Sequence, residues 1–136
     1  MKKVFADANG WIALNSKRDQ FNGLAIKKNK ELLQGGRRYL TTNFVLDEVY
    51  TGLLTRVGHF AAVDFGEKIR NAQTVQVIHI TAEIEDKAWE LFKQYSDKEF
   101  SFTDCTSFIV MRRFNLIEVF TNDHHFEQMG FATLLK

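Results

Sequence analysis

Apolar residues fall in two arrangements along this chain, short unbroken runs and longer stretches with helical spacing. Val4-Phe5-Ala6 is such a run and meets Asp7-Ala8-Asn9-Gly10 at once, the pattern of a buried strand ending at a polar turn. Residues 11–16 suit one or two helical turns. From about Gln20, the positions Phe21, Leu24, Ala25, Leu32 and Leu33 follow a helical period that Gly35-Gly36 stops. An extended piece over 38–41 leads to Thr42-Asn43, good caps for a helix reaching about Val57, and a further helix covers 60–71. The β-branched run 74–80 predicts a strand. Thr81 caps a helix over 82–95 whose apolar stripe is Ile84, Ala88, Leu91, Phe92 and Tyr95. Ser101-Phe102-Thr103-Asp104 opens an apolar helix to about Phe114. A buried strand over 116–121, a short helix over 124–129 ended by Gly130, and a final strand over 131–134 complete the pattern.

Apolar strands separated by helices predict an α/β fold with a parallel sheet covered on both faces. Such sheets bind ligands beyond the carboxyl ends of their strands, where strand order reverses. At 136 residues, with no proline and no low-complexity tract, the chain reads as a single domain, 1–136. The balance of 18 Lys+Arg against 17 Asp+Glu excludes a blanket basic coat for nucleic acid, so any contact with phosphates is local. One cysteine, Cys105, excludes an internal disulfide and a sulfur-built zinc site, and a reducing compartment follows as the expectation, the cytoplasm by default. No apolar run approaches a membrane span or a secretory signal, so no membrane partner is expected.

The candidate chemistry lies in carboxylates. Asp7 and Asp123 each follow a strand, Asp104 begins a helix, and Glu48 sits inside the helix 42–57 with Phe44 and Val45 one turn before it and Gly52 one turn after, an apolar face. Singly, Asp7, Asp104 and Asp123 are explained as helix caps; Glu48 is not. Together they form an acidic group drawn from both ends of the chain with no Lys or Arg interleaved. A hard divalent cation, Mg²⁺ or Mn²⁺, supplies the missing charge and suits hydrolysis of a phosphodiester.

These residues carry a family resemblance. Val4 to Asn9, Thr41 to Val49, Ser101 to Phe108, and Phe120 to Phe126 through Gly130-Phe131 resemble, in order, the blocks of the PIN domain, and within it the VapC-like toxins. The resemblance implies a three-layer α/β/α sandwich with a mainly parallel central sheet, and Mg²⁺- or Mn²⁺-dependent endoribonuclease activity leaving 5′-phosphate and 3′-hydroxyl ends. It maps the acidic positions onto Asp7, Glu48, Asp104 and Asp123, and supporting polar positions onto Asn9 and Thr121. It implies that Asp7, Asp104 and Asp123 hold the ion while Glu48 binds it or orients its water. An RNA substrate, a small antitoxin protein and a homodimer are the implied partners.

Competing readings are weaker. His124-His125 beside Asp123 lacks a third nitrogen or sulfur ligand nearby for a transition metal; by resemblance the His125-Phe126 pair packs or hydrogen-bonds after the aspartate. Cys105 enters an apolar helix and reads as an inert thiol, and the thirteen phenylalanines read mainly as core. Arg37-Arg38, Arg56, Lys98 and Arg112-Arg113 are local candidates for backbone phosphates, or solvated charges; Lys27, Lys28 and Lys30 lie where the family often contacts substrate or antitoxin. The alternatives are a PIN-fold module that binds RNA or protein without cutting, and a phosphoaspartate receiver. The second is disfavoured because no acidic pair follows the first strand.

Overall fold

The computed structural model describes residues 2–136. Its elements follow the order β1 (Lys3–Ala6), α1 (Ala8–Asn15), α2 (Asn22–Gln34), β2 (Arg38–Thr42), α3 (Asn43–Arg56), α4 (His59–Asn71), β3 (Val75–Ile78), α5 (Ala82–Gln94), α6 (Phe102–Arg113), β4 (Glu118–Phe120), α7 (His124–Gln128) and β5 (Ala132–Thr133). The sheet is entirely parallel, in the order β3-β2-β1-β4-β5. The first two crossovers wind outward from β1 to β2 and β3; the next returns across the sheet to β4. Because parallel crossovers are right-handed, that reversal puts α1–α4 on one face and α5–α6 on the other, the α/β/α sandwich the sequence implies.

The reversal point lies between β1 and β4, which pair Phe5 with Val119 and Ala6 with Phe120. Both strands are wholly apolar at these positions, as burial on two faces demands: Val4, Phe5, Ala6, Val119 and Phe120 expose no surface. The residues that follow, Asp7 and Thr121, therefore emerge side by side.

Gly10 fixes how closely α1 approaches this edge. A Cβ there would lie 2.0 Å from the Phe120 carbonyl oxygen and 2.6 Å from its ring, so only glycine admits the contact. On the other side of the sheet, Thr41 at the end of β2 donates its hydroxyl to the Ala6 carbonyl at 2.8 Å, tying a third strand end to the first. Asn43 accepts from the Ile80 backbone at 2.8 Å and does the same for the end of β3.

Some boundaries differ from the sequence pattern. The first helix starts at Ala8, so the expected turn over Asp7 to Gly10 is its first turn. Strand β4 is three residues and β5 two, shorter than the apolar runs containing them. Phe92, assigned to the buried stripe of α5, is exposed and stacks on Trp89. Phe60 and Phe114 are also exposed, whereas most other phenylalanines are core or packed against it. No described helix is long and apolar enough to cross a membrane.

One buried polar atom lacks a partner among the described residues, the Ser107 hydroxyl on α6. Its desolvation is uncompensated, so Ser107→Ala should leave the fold unchanged and stabilise it by about 1 kcal/mol in urea unfolding.

Candidate active site

Asp7 is the best-defined group of the site. It is the residue preceding α1, yet its side chain makes no capping bond there, so the capping explanation fails. Its Oδ2 instead accepts from the Thr121 hydroxyl at 3.0 Å, across the β1–β4 seam. Burial, then the nearby charge of Asp104, pushes its carboxyl up to about 7, with Thr121 offsetting part of the rise. No Lys or Arg among the described residues is ion-paired with it.

Asp104 and Asp123 keep their capping roles and gain others. Asp104 is the third residue of α6 and completes a capping box, Ser101 N donating to Oδ2 at 3.1 Å and Asp104 N to Ser101 Oγ at 2.9 Å. Asp123 precedes α7, and its Oδ1 accepts from His125 N at 2.9 Å; its own backbone donates to Thr121 Oγ1 at 3.2 Å. Thr121 thus links Asp7 and Asp123 through one hydroxyl. Burial raises the Asp104 carboxyl, against lowering by its bond from Ser101.

Glu48 departs from expectation. The helical spacing predicts a close-packed apolar surround; α1 does pack closely on this face at Gly52, but Glu48 itself is exposed. It lines an open cavity of about 400 Å³ with Asn9, Thr51, Gly52 and Arg56. Partial desolvation, then Asp104, still holds its carboxyl above the ordinary range, and the Thr103 hydroxyl offsets part of that. Asp104 and Asp123 both act on Glu48, and Asp104 and Asp123 both act on Asp7, which places the four carboxylates within electrostatic reach of one another. Asn9 lies on the same cavity wall.

His125, for which the resemblance implies packing or hydrogen bonding after Asp123, also reaches Asp104. Its Nδ1 is 3.1 Å from Asp104 Oδ2 and 3.4 Å from Asp123 Oδ1, and its ring is wedged edge-on against Phe100 at 5.5 Å. A carboxylate only accepts, so the Nδ1 hydrogen is donated to Asp104 when that group is ionised. Asp123, His124 and His125 also bring one ligand atom each within 4.8 Å of one another. His124 is highly exposed and His125 is already committed to Asp104, so the arrangement reads more simply as a clamp on two aspartates than as a metal cage. His125→Ala should lower activity that depends on these two aspartates by about 10–100-fold with little change in thermal midpoint, the size of effect seen when a group that orients functional side chains is removed. Cys105 is buried and its thiol is pushed up to about 11 by burial and by Asp104, so it is inert as the sequence suggests.

An all-parallel α/β sandwich with acidic side chains gathered beyond the carboxyl ends of β1 and β4 belongs to the class of doubly wound domains whose site lies where strand order reverses. Residues 4–132 match the PIN domain model, and the chain belongs to the PIN domain family. It is 37% identical over 130 residues to the 23S rRNA-specific endonuclease VapC20 of Mycobacterium tuberculosis, covering 95% of each chain. The crystal structure of that protein, described as a sarcin-ricin loop cleaving toxin, superposes with a TM-score of 0.85 at 35% identity, covering 95% of this chain and 96% of that one. The fold is shared more distantly with VapBC2 from Rickettsia felis, bound to a promoter DNA fragment (TM-score 0.69, 14% identity, 96% of each chain), and with FitAcB from Neisseria gonorrhoeae (TM-score 0.64, 15% identity, 96% and 95%).

Proposed function

We propose that this chain is a divalent-metal-dependent endoribonuclease, the toxin of a two-protein toxin–antitoxin pair, acting in the cytoplasm on a single-stranded loop of ribosomal RNA. The observation that carries the reading is Asp7: a buried carboxylate whose only side-chain partner among the described residues is a hydroxyl, with more carboxylates around it and no described lysine or arginine ion-paired with it. Such a group must be either protonated or neutralised by a cation from outside the chain. Oxygen donors alone fit Mg²⁺ or Mn²⁺. A non-cutting RNA- or protein-binding module has no need of this arrangement.

Asp7, Asp104 and Asp123 would hold the ion, which when bound neutralises charge at the scissile phosphate and acidifies water. Thr121 keeps Asp7 and the Asp123 backbone in register, and His125 keeps Asp104 against Asp123. Glu48 stands at the open side of the group, where its carboxyl, raised by partial desolvation and then by Asp104, is suited to orienting water and taking its proton. Asn9 offers a further polar contact at the cavity wall.

Support for protein partners comes from uncovered apolar surface. Leu54, Val57, Phe60 and Val63 are exposed around the α3–α4 corner, and Trp89 and Phe92 stack in the open on α5. These two faces suit an antitoxin and a second copy of this chain.

The deciding experiment incubates wild type and Asp104→Asn with a ribosomal RNA stem-loop in Mn²⁺, Mg²⁺ or EDTA, and maps the cut ends. Cleavage by wild type with metal alone, lost in the variant, is the expected result. Equal cleavage by both proteins removes the site.

A further inference from the structure

Two cavities of about 400 Å³ each adjoin at Asn9 and Arg56. One contains Glu48. The other has none of the four clustered carboxylates on its wall and is lined by Arg18, in the loop between α1 and α2, by Arg56, in the last turn of α3, and by Asn122, the residue before Asp123. The wall of this second cavity is strongly polar. Neither guanidinium has an ion-pair or hydrogen-bond partner among the described residues, although most other arginines of the chain do. Asp19 is the acidic residue on this wall, and its Oδ1 is already committed to the Phe21 backbone at 2.8 Å.

A substrate phosphodiester must enter a site whose own charge is negative. The phosphates flanking the scissile one meet Asp47 and Glu48 and are repelled, unless the strand is led off along a positively charged wall. Arg56 lies eight residues beyond Glu48 on the same helix, roughly 12 Å along its axis, a separation that suits a phosphate neighbouring the one at Glu48 rather than the same one. Two unpaired guanidiniums with two asparagine side chains offer planar, forked donors matched to phosphate oxygens.

We propose that Arg18 and Arg56, with Asn9 and Asn122, form a subsite for backbone phosphate of the RNA strand leaving the carboxylate cluster. This deepens the ribonuclease reading and rests on it for the identity of the strand. The subsite binds backbone and carries no base preference, so it sets affinity and the direction of the strand, while target choice is made elsewhere.

The test has a binding arm independent of cleavage. Arg18→Ala/Arg56→Ala and Arg18→Lys/Arg56→Lys are made in wild type and in Asp104→Asn. Binding of a short fluorescent single-stranded RNA to the Asp104→Asn proteins is followed against salt in EDTA. The alanine pair should weaken binding about 10-fold or more at low salt and lower the salt slope by about 1.4, the value for two lost contacts on a single strand; the lysine pair should restore most of the slope. In the cleavage-competent background the alanine pair should raise KM by a similar factor and change kcat by less than about 3-fold. Unchanged affinity and slope overturn the subsite even if wild type cuts RNA. If wild type cuts nothing while the slope still falls, the subsite stands and the ribonuclease reading fails.

Discussion

Asp7→Asn should be more stable than the wild type without metal, and far less active with it. In the folded metal-free protein the Asp7 carboxyl titrates near 7, against an ordinary value of 3.8. Between those two values the folded state holds a proton that the unfolded state has released. Stability of the metal-free wild type therefore falls as pH rises from about 4 to 7 and stays low above it. Asparagine cannot ionise and still accepts from Thr121, so the variant escapes the loss, by about 2–4 kcal/mol at pH 7.5, the upper end being the whole shift at about 1.36 kcal/mol per unit. The thermal midpoint in EDTA, measured from pH 5 to 8, checks this. Cleavage in Mn²⁺ should drop about 100–1,000-fold, as several kcal/mol of charge stabilisation would give. Saturating Mg²⁺ should raise the wild-type midpoint much more than the variant's. A less stable variant with full activity would make Asp7 a structural residue.

Gly10→Ala should act in the opposite way on stability, losing about 3 kcal/mol or more together with cleavage. The added methyl meets the Phe120 backbone carbonyl at 2.0 Å, and a backbone atom in the middle of a sheet cannot swing aside as a side-chain tip can. Relief requires α1 to move off β4, which parts Asp7 from Thr121. Urea unfolding and RNA cleavage both report it. A neutral result would mean that the α1–β4 seam is looser than its geometry shows.

The order of strands and helices was readable because it follows from apolar runs and caps close in sequence. Helix α1 was misread at its start because Asn9 and Gly10 are poor helix formers; the contact with Phe120 outweighs that propensity and needs the glycine. Glu48 was misread for a related reason. Helical spacing tells which residues share its face, but how far a neighbouring element reaches over each of them is decided by tertiary packing, and α1, close at Gly52, leaves Glu48 exposed. Convergence of Asp7 with Asp123 followed from two strands ending alike, and the pairing of Ala6 with Phe120 places them as expected. The bridge from His125 to Asp104 spans 21 residues, and nothing in local pattern announces it. The available signal was the lack of any cation among the carboxylates, with a histidine pair directly beside one of them. Arg18 gave no signal, since a lone arginine in a loop is ordinary until its neighbours are known.

Strand β4 inserts beside β1 late in the chain, and this has a bearing on biosynthesis. A growing polypeptide emerges from the ribosome amino-end first and holds Asp7 and Glu48 long before its Thr121 and Asp123 exist outside the exit tunnel. Until about 120 residues are free, β1 has an open flank and its aspartate has no hydroxyl to meet. A nascent copy thus lacks both the Thr121 contact and the completed carboxylate group until β4 has joined β1.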